Sequence, residues 1–290
     1  MIILRAEILG YCMGVRRAVE AAELACIENK NKKVFTLGPL IHNNSALKAL
    51  EKMGIGVLKA DASDLPSDAS DCVVIIRAHG VPPFIMQRLE QSKCKVINAT
   101  CPRVLSSQKR AADFGKKGYS VLLAGDKNHG EVVGISGCAR ASGAECTVIE
   151  NAEEALKLNP VPNKAILLSQ TTISSSEYEN IANVLKEKIP NLKVANTICP
   201  ATQERQKALV ELCKNVEGVL IIGGKNSANT KRLLRTAQEL CKNAALIETA
   251  TEIPEDFFKL KRVGLSAGAS TPDFVIDAVE QALFEGSENI

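Results

Sequence analysis

Tryptophan is absent from this 290-residue chain, seven phenylalanines and three tyrosines are its only aromatics, and there are only three histidines. Charge of one sign is also lacking: 36 basic residues face 33 acidic ones, for a formal net charge of +3. A nucleic-acid surface usually needs a concentrated basic face and stacking rings, so no nucleic-acid partner is expected. No apolar run reaches the roughly 20 residues of a membrane span, so no membrane association is expected. The N-terminus reads as a strand rather than a charged segment followed by an apolar, cleavable one. A cytoplasmic protein is the expectation. No two of the ten cysteines stand in a Cys-x-x-Cys pair, which removes a local zinc ribbon and a ferredoxin-type run. Without a secretion signal a disulfide framework is not expected either, because the cytosol keeps thiols reduced. Any metal site must therefore be assembled from distant parts. A phosphate loop is missing too, since Val219 stands where Gly223-Gly224-Lys225-Asn226 would need its first glycine.

What is present is a repeat. Lys95-Val-Ile-Asn-Ala-Thr-Cys101-Pro102 returns as Lys193-Val-Ala-Asn-Thr-Ile-Cys199-Pro200, and Glu7-Ile-Leu-Gly-Tyr-Cys12-Met13 is a fainter copy. Each reads strand, turn, cysteine, helix. An apolar strand ending in glycine follows each cysteine, at Gly38, Gly125 and Gly223, with offsets of 26, 24 and 24. Four residues further stand His42, His129 and Ser227. A later strand runs into His79, Thr171 or Ser270, at offsets of 67, 70 and 71 from the cysteine. Three columns in three rows, holding all three histidines, are a strong repeat signal.

Strands alternating with helices at this spacing predict an α/β chain of three similar small parallel-sheet units, 1–98, 99–196 and 197–290. The first unit is expected to open on a strand at Ile2–Leu9. In the helix after Cys12, Val15, Val19, Ala22 and Cys26 fall on one face, and Ser45 reads as a helix N-cap. Every repeated position follows a strand, at the end of a parallel sheet where working residues gather. Packing of the units around a pseudo-threefold axis would let all nine positions face one centre.

The chemistry of the columns leaves alternatives open. Three turn cysteines suit a soft metal centre. A 4Fe–4S cluster normally takes four cysteines, so three would leave one iron open; one zinc with three cysteines and water fits as well. The other seven cysteines, Cys26, Cys72, Cys94, Cys138, Cys146, Cys213 and Cys241, read as core. His42, His129, Ser227 and Asn229, with His79, Thr171 and Ser270, are hydrogen-bond donors near helix starts, where an anion such as a diphosphate would fit; each taken singly also reads as a helix cap. Glu131, in His129-Gly130-Glu131, is the one carboxylate within two residues of a repeated histidine. It reads as a proton donor or as a dipole-favoured residue at a helix start.

Together these residues resemble the IspH/LytB family, the 4-hydroxy-3-methylbut-2-enyl diphosphate reductases that close the methylerythritol phosphate route to isoprenoids. The resemblance rests on Gly-Tyr-Cys12-Met-Gly-Val-Arg-Arg-Ala-Val, Gly-Pro-Leu-Ile-His42-Asn, Ile-Arg-Ala-His79-Gly-Val, Ala-Thr-Cys101-Pro, His129-Gly-Glu131-Val, Ser-Gln-Thr171-Thr, Thr-Ile-Cys199-Pro-Ala-Thr, Gly-Lys-Asn-Ser227-x-Asn229-Thr and Ala-Gly-Ala-Ser270-Thr-Pro. It covers nearly the whole chain. It implies threefold packing with a central cleft, and a 4Fe–4S cluster on Cys12, Cys101 and Cys199 whose open iron takes the substrate's allylic oxygen. It further implies that His42, His79, Ser227, Asn229 and Ser270 grip the diphosphate with His129 nearby. Glu131 would deliver the proton that releases water, and Thr171 would orient the leaving oxygen. Electrons passed singly from a ferredoxin or flavodoxin would give isopentenyl or dimethylallyl diphosphate. A monomer is the expected assembly, and a bacterial member without transit peptide or appended domain is the expected type. One departure stands out: Ala228 occupies a position where the family often has a second serine, so somewhat weaker substrate binding is expected.

The competing readings are a zinc hydrolase acting on a phosphorylated small molecule, with Glu131 near the activated water, and a non-catalytic anion-binding or iron–sulfur sensor protein.

Overall fold

The computed structural model describes residues 1–41 and 43–288. The chain opens with β1 (Ile2–Arg5), α1 (Met13–Glu28), β2 (Lys33–Leu37), α2 (Asn44–Lys52), β3 (Gly56–Leu58) and β4 (Cys72–Ile76). It continues through α3 (Pro83–Gln91), β5 (Lys95–Asn98), α4 (Pro102–Lys116), β6 (Ser120–Ala124), α5 (Gly130–Ala141) and β7 (Cys146–Ile149). Then come α6 (Ala152–Leu156), β8 (Lys164–Ser169), α7 (Ser175–Lys188), β9 (Asn191–Val194), α8 (Pro200–Cys213) and β10 (Gly218–Ile222). The last elements are α9 (Ala228–Leu240), β11 (Asn243–Ile247), β12 (Arg262–Ala267) and α10 (Asp273–Glu288).

Three four-stranded sheets form, with orders β3-β2-β4-β5, β7-β6-β8-β9 and, read in the same sense, β11-β10-β12-β1. All the pairings are parallel. The α/β reading with three parallel sheets is therefore what the chain adopts. One expectation needs correcting. The N-terminal strand, placed by sequence at the head of the first unit, pairs instead with β12, from Ile2 opposite Arg262 to Arg5 opposite Leu265. It fills in the third sheet the edge place that β5 and β9 fill in the other two. It is also shorter than predicted, ending at Arg5 rather than Leu9.

By packing, the chain divides into two compact units: Met1–Arg16 with Ile41–Met53 and Pro200–Ile290, and Arg17–Leu40 with Gly54–Cys199. The first contains the sheet of β1, β10, β11 and β12; the second contains the other two. Inner strands are largely apolar because both faces are covered. All five residues of β4 (Cys-Val-Val-Ile-Ile) and of β10 (Gly-Val-Leu-Ile-Ile) are buried. The edge strands β1, β5 and β9 expose their ends. In the second unit Leu122 and Leu167 pack with Ile181 and Leu185 of α7 on one face of their sheet, while Leu123 and Ile166 pack with Ala111, Val132 and Ile135 on the other. Full burial of each such aliphatic is worth about 1.5–3 kcal/mol. In α1 the buried face is Val15, Ala18, Ala22 and Ala25, one step round from the predicted stripe, and Cys26 is half-buried.

The strand orders put a topological switch point between β2 and β4, between β6 and β8, and between β10 and β12. There adjacent strands lead to opposite sides of the sheet, and a crevice opens beyond their carboxyl ends. The glycines ending β6 and β10 keep two of these crevices passable to backbone. A Cβ built on Gly125 would lie 2.7 Å from Gln170 Cβ, and one on Gly223 would lie 2.7 Å from Thr271 Oγ1, with φ of +158° and +151°. His129 and Ser227, which follow β6 and β10, and His79, Thr171 and Ser270, which follow β4, β8 and β12, stand in such crevice loops.

Deleting residues 1–5 should raise amide hydrogen exchange in β12 and β10 while leaving β6 and β8 protected. Equal loss of protection in all four strands would contradict the pairing of β1 with β12.

Candidate active site

In the second unit the crevice between β6 and β8 is closed by one carboxylate. His129 caps α5, its Nδ1 accepting from the Glu131 N–H at 3.3 Å. Glu131, at the second residue of the helix, is only 1% exposed. Its Oε1 accepts from the Thr171 N–H and its Oε2 from the Thr171 Oγ1–H, both at 2.7 Å. The Thr171 carbonyl in turn accepts from the Cys199 N–H at 2.9 Å. Thr171 thus ties the carboxylate to a cysteine loop. That loop is clipped in place: the Thr197 hydroxyl donates to the Ser169 carbonyl at 2.7 Å and accepts from the Ser169 N–H at 2.8 Å.

The same unit carries His79 in the loop beyond β4. Its ring meets that of His129 edge to face, centroids 4.9 Å apart at 81°. Cys101 is the N-cap of α4 with Pro102 at the first helical position, and its N–H donates to the Ala78 carbonyl at 3.0 Å. Proline suits that position because no intrahelical N–H is needed there. His42 lies outside the described residues.

The first unit holds the counterparts. The Cys12 N–H donates to the Ala269 carbonyl at 3.2 Å. Arg205 of α8, 2% exposed, braces this loop, donating to the Gly10 carbonyl at 2.9 Å and to the Ala267 carbonyl at 2.8 Å. Ser227 caps α9, accepting from the Thr230 N–H at 3.3 Å. Asn229 occupies the helix position that Glu131 has in α5; it is 6% exposed, and its Nδ2 has no hydrogen-bond partner among the described residues. A buried donor left without an acceptor costs about 1–3 kcal/mol, which an incoming anion would offset. Ser270 is half-buried directly after Ala269. At α2 the cap is Asn43, which accepts from Ala46 N–H at 3.0 Å; Ser45, the predicted cap, lies inside the helix.

The three cysteine N–H bonds fix the register of the repeat better than counting does. They make Ala78, Thr171 and Ala269 equivalent, so the positional partner of His79 and Ser270 is Thr172, not Thr171. Loop length between cysteine and strand differs among the units, and only strand pairing removes the error. Thr172 was missed although it stands next to Thr171 in Gln-Thr-Thr; its hydroxyl accepts from Gln170 Nε2 at 2.7 Å. Arg205 was missed because nothing in a helix sequence marks which arginine turns inward.

None of the ten cysteines is in a disulfide. Cys72, Cys94, Cys213 and Cys241 are buried as expected, whereas Cys138 and Cys146, like Cys26, are half-buried. Burial pushes the Cys213 thiol up to about 12 and raises those of Cys26, Cys72, Cys138 and Cys146, which keeps them protonated and poor ligands. Cys12, Cys101 and Cys199 each immediately precede a helix. Among the described residues no group of three Cys, His, Asp or Glu is disposed to hold a metal ion, and no helix is long and apolar enough to cross a membrane.

Comparison with known proteins gives this geometry a family. A model described as LytB protein matches residues 3–284. The 4-hydroxy-3-methylbut-2-enyl diphosphate reductase of Treponema denticola is 49% identical, covering 99% of this chain and all of its own. That of Caldanaerobacter subterraneus is 40% identical over 96% of this chain and 95% of its own. A solved structure of (E)-4-hydroxy-3-methyl-but-2-enyl diphosphate reductase, the terminal enzyme of the non-mevalonate pathway, superposes with a TM-score of 0.72 at 39% identity, over 98% of this chain and all of that one. The Plasmodium falciparum reductase superposes with a TM-score of 0.88 at 30% identity, covering 97% of this chain and 87% of its own. With the family model spanning nearly every residue and these relatives matching end to end, the chain belongs to the LytB family of 4-hydroxy-3-methylbut-2-enyl diphosphate reductases.

Proposed function

We propose that this chain reduces 4-hydroxy-3-methylbut-2-enyl diphosphate by two electrons, releasing the allylic hydroxyl as water to leave isopentenyl and dimethylallyl diphosphate. The observation that carries the reading is the Glu131–Thr171–Cys199 chain of contacts, which links a buried carboxylate to one of the three repeated cysteines.

The donor set fits an iron–sulfur group. Three cysteines each head a helix and each have their N–H held by the loop beyond an inner strand. Cys12, Cys101 and Cys199 would hold a 4Fe–4S cluster. Such a group, once bound, supplies the electrons and an open iron for the hydroxyl oxygen.

The chain's own residues do the rest. Glu131 holds a proton near the leaving oxygen, and burial excludes water that would compete for it. Thr171, donating to both carboxylate oxygens, fixes the direction in which that proton can be passed and presents its own hydroxyl oxygen beside it. His42, His79, His129, Ser227, Asn229 and Ser270 would grip the diphosphate, aided by the N-termini of α5 and α9. Ala228 contributes no hydroxyl there. The three repeated units, the third completed by the N-terminal strand, would serve one centre, with a ferredoxin or flavodoxin delivering electrons singly to a cytoplasmic monomer.

Serine at Cys12, Cys101 or Cys199 should abolish the brown absorption and the bound iron and sulfide, whereas serine at Cys26 or Cys241 should leave both; equal loss at all five positions would remove the cluster assignment. Glu131→Gln should keep the colour and inorganic diphosphate binding but lower turnover by about 10²–10⁴-fold. Near-normal turnover would remove Glu131 from the proton step. Thr171→Val deletes one of the two hydrogen bonds to Glu131 and should lower kcat with little change in KM; a change confined to KM would make Thr171 a binding residue instead.

A further inference from the structure

Arg77 is a cation that none of these roles uses. It follows β4 directly, at the position that Gln170 takes beyond β8 and Gly268 beyond β12. In Gln170 both amide ends are occupied, Oε1 accepting from the Asp126 N–H at 2.9 Å and Nε2 donating to Thr172 Oγ1. In Arg77, by contrast, Nε is buried with no hydrogen-bond partner, and the guanidinium is paired with no carboxylate among the described residues. Burial draws it below the ordinary arginine value, yet a guanidinium has ample margin to stay charged.

Two glycines make its berth. A Cβ on Gly38 would lie 3.4 Å from Arg77 Nη1, and one on Gly130 only 2.4 Å from Nη2. Gly130 is the first residue of α5, so the guanidinium sits at the positive end of that helix dipole, beside the helix capped by His129. His79 is two residues along the chain from Arg77, and its ring touches that of His129. The carboxylate of Glu131, also at this helix start, already accepts from Thr171 through both oxygens. The positive helix end and the guanidinium repel one another and, with two imidazole rings beside them, together favour an anion. The residues assigned to the diphosphate carry no arginine or lysine, although the ligand bears several negative charges.

We propose that Arg77 is a further substrate-binding residue, its planar guanidinium supplying a fixed positive charge and a two-pronged hydrogen bond to the substrate's diphosphate. This rests on the diphosphate reading above. The glycine of His129-Gly130-Glu131 is then explained by the guanidinium, since any side chain there would displace it.

The test compares holoenzyme carrying Arg77→Gln with the unaltered holoenzyme, titrated anaerobically with inorganic diphosphate by calorimetry, with cluster absorption and thermal transition recorded alongside. Arg77→Gln should raise the Kd for inorganic diphosphate by roughly 10- to 100-fold, as expected for loss of a hydrogen bond to a charged group, and should leave the cluster absorption unchanged. Arg77→Lys keeps the charge without the planar fork and should bind at least about threefold more weakly than arginine, so it decides the matter if the glutamine variant does not fold. Affinity within threefold of the unaltered enzyme in Arg77→Gln, or equal affinity in Arg77→Lys, would overturn the proposal while leaving the diphosphate reading intact. Failure of the unaltered enzyme itself to bind inorganic diphosphate would overturn the reading and the proposal with it.

Discussion

Three backbone hydrogen bonds, from the N–H groups of Cys12, Cys101 and Cys199 to the carbonyls of Ala269, Ala78 and Thr171, set the geometry on which the site depends. Each joins a cysteine loop to the chain just beyond an inner strand of a parallel sheet. Inner strands are the most rigid part of such a fold, because both faces are packed and every backbone group is paired. A cysteine fastened there inherits that rigidity although it lies in a loop. In two units a proline starts the helix that follows without losing a hydrogen bond.

The carboxylate uses the same device at one remove. Glu131 starts a helix in the crevice between β6 and β8, and Thr171 reaches across from the other side of that crevice with N–H and hydroxyl. Because the Thr171 carbonyl also holds Cys199, the carboxylate and one of the repeated cysteines share one residue as their support. Asn229 occupies the corresponding helix position in the third sheet with an amide donor in place of an acid. The three similar crevices have thus diverged: one presents an acid, another an amide, and the one beyond β4 a histidine and an arginine.

The local pattern around the candidate site was readable from the chain. The cysteine–proline phrases, the glycine-ended strands and the polar residue four positions on are local, and each is imposed by a local requirement: a helix start, a tight approach at Gly125 and Gly223, a cap at His129 and Ser227. Counting along the chain failed where loop length varied. It placed Thr171 in the column that Thr172 occupies, and it set the cap of α2 at Ser45 rather than Asn43. The inward arginines, Arg77 and Arg205, carry no local mark, since an arginine on a helix or after a strand is usually solvated.

The sequence by itself determined the parallel α/β class, the threefold repeat and the family. Those properties follow from periodicity and from residue types that local backbone geometry demands. Only the tertiary structure decided that β1 belongs with β12, that Glu131 and Thr171 meet, and that the Arg77 guanidinium lies beside Gly38 and Gly130. Such facts depend on contacts between residues far apart in the chain, where the pairing of strands, rather than any local preference, sets which side chains come within reach.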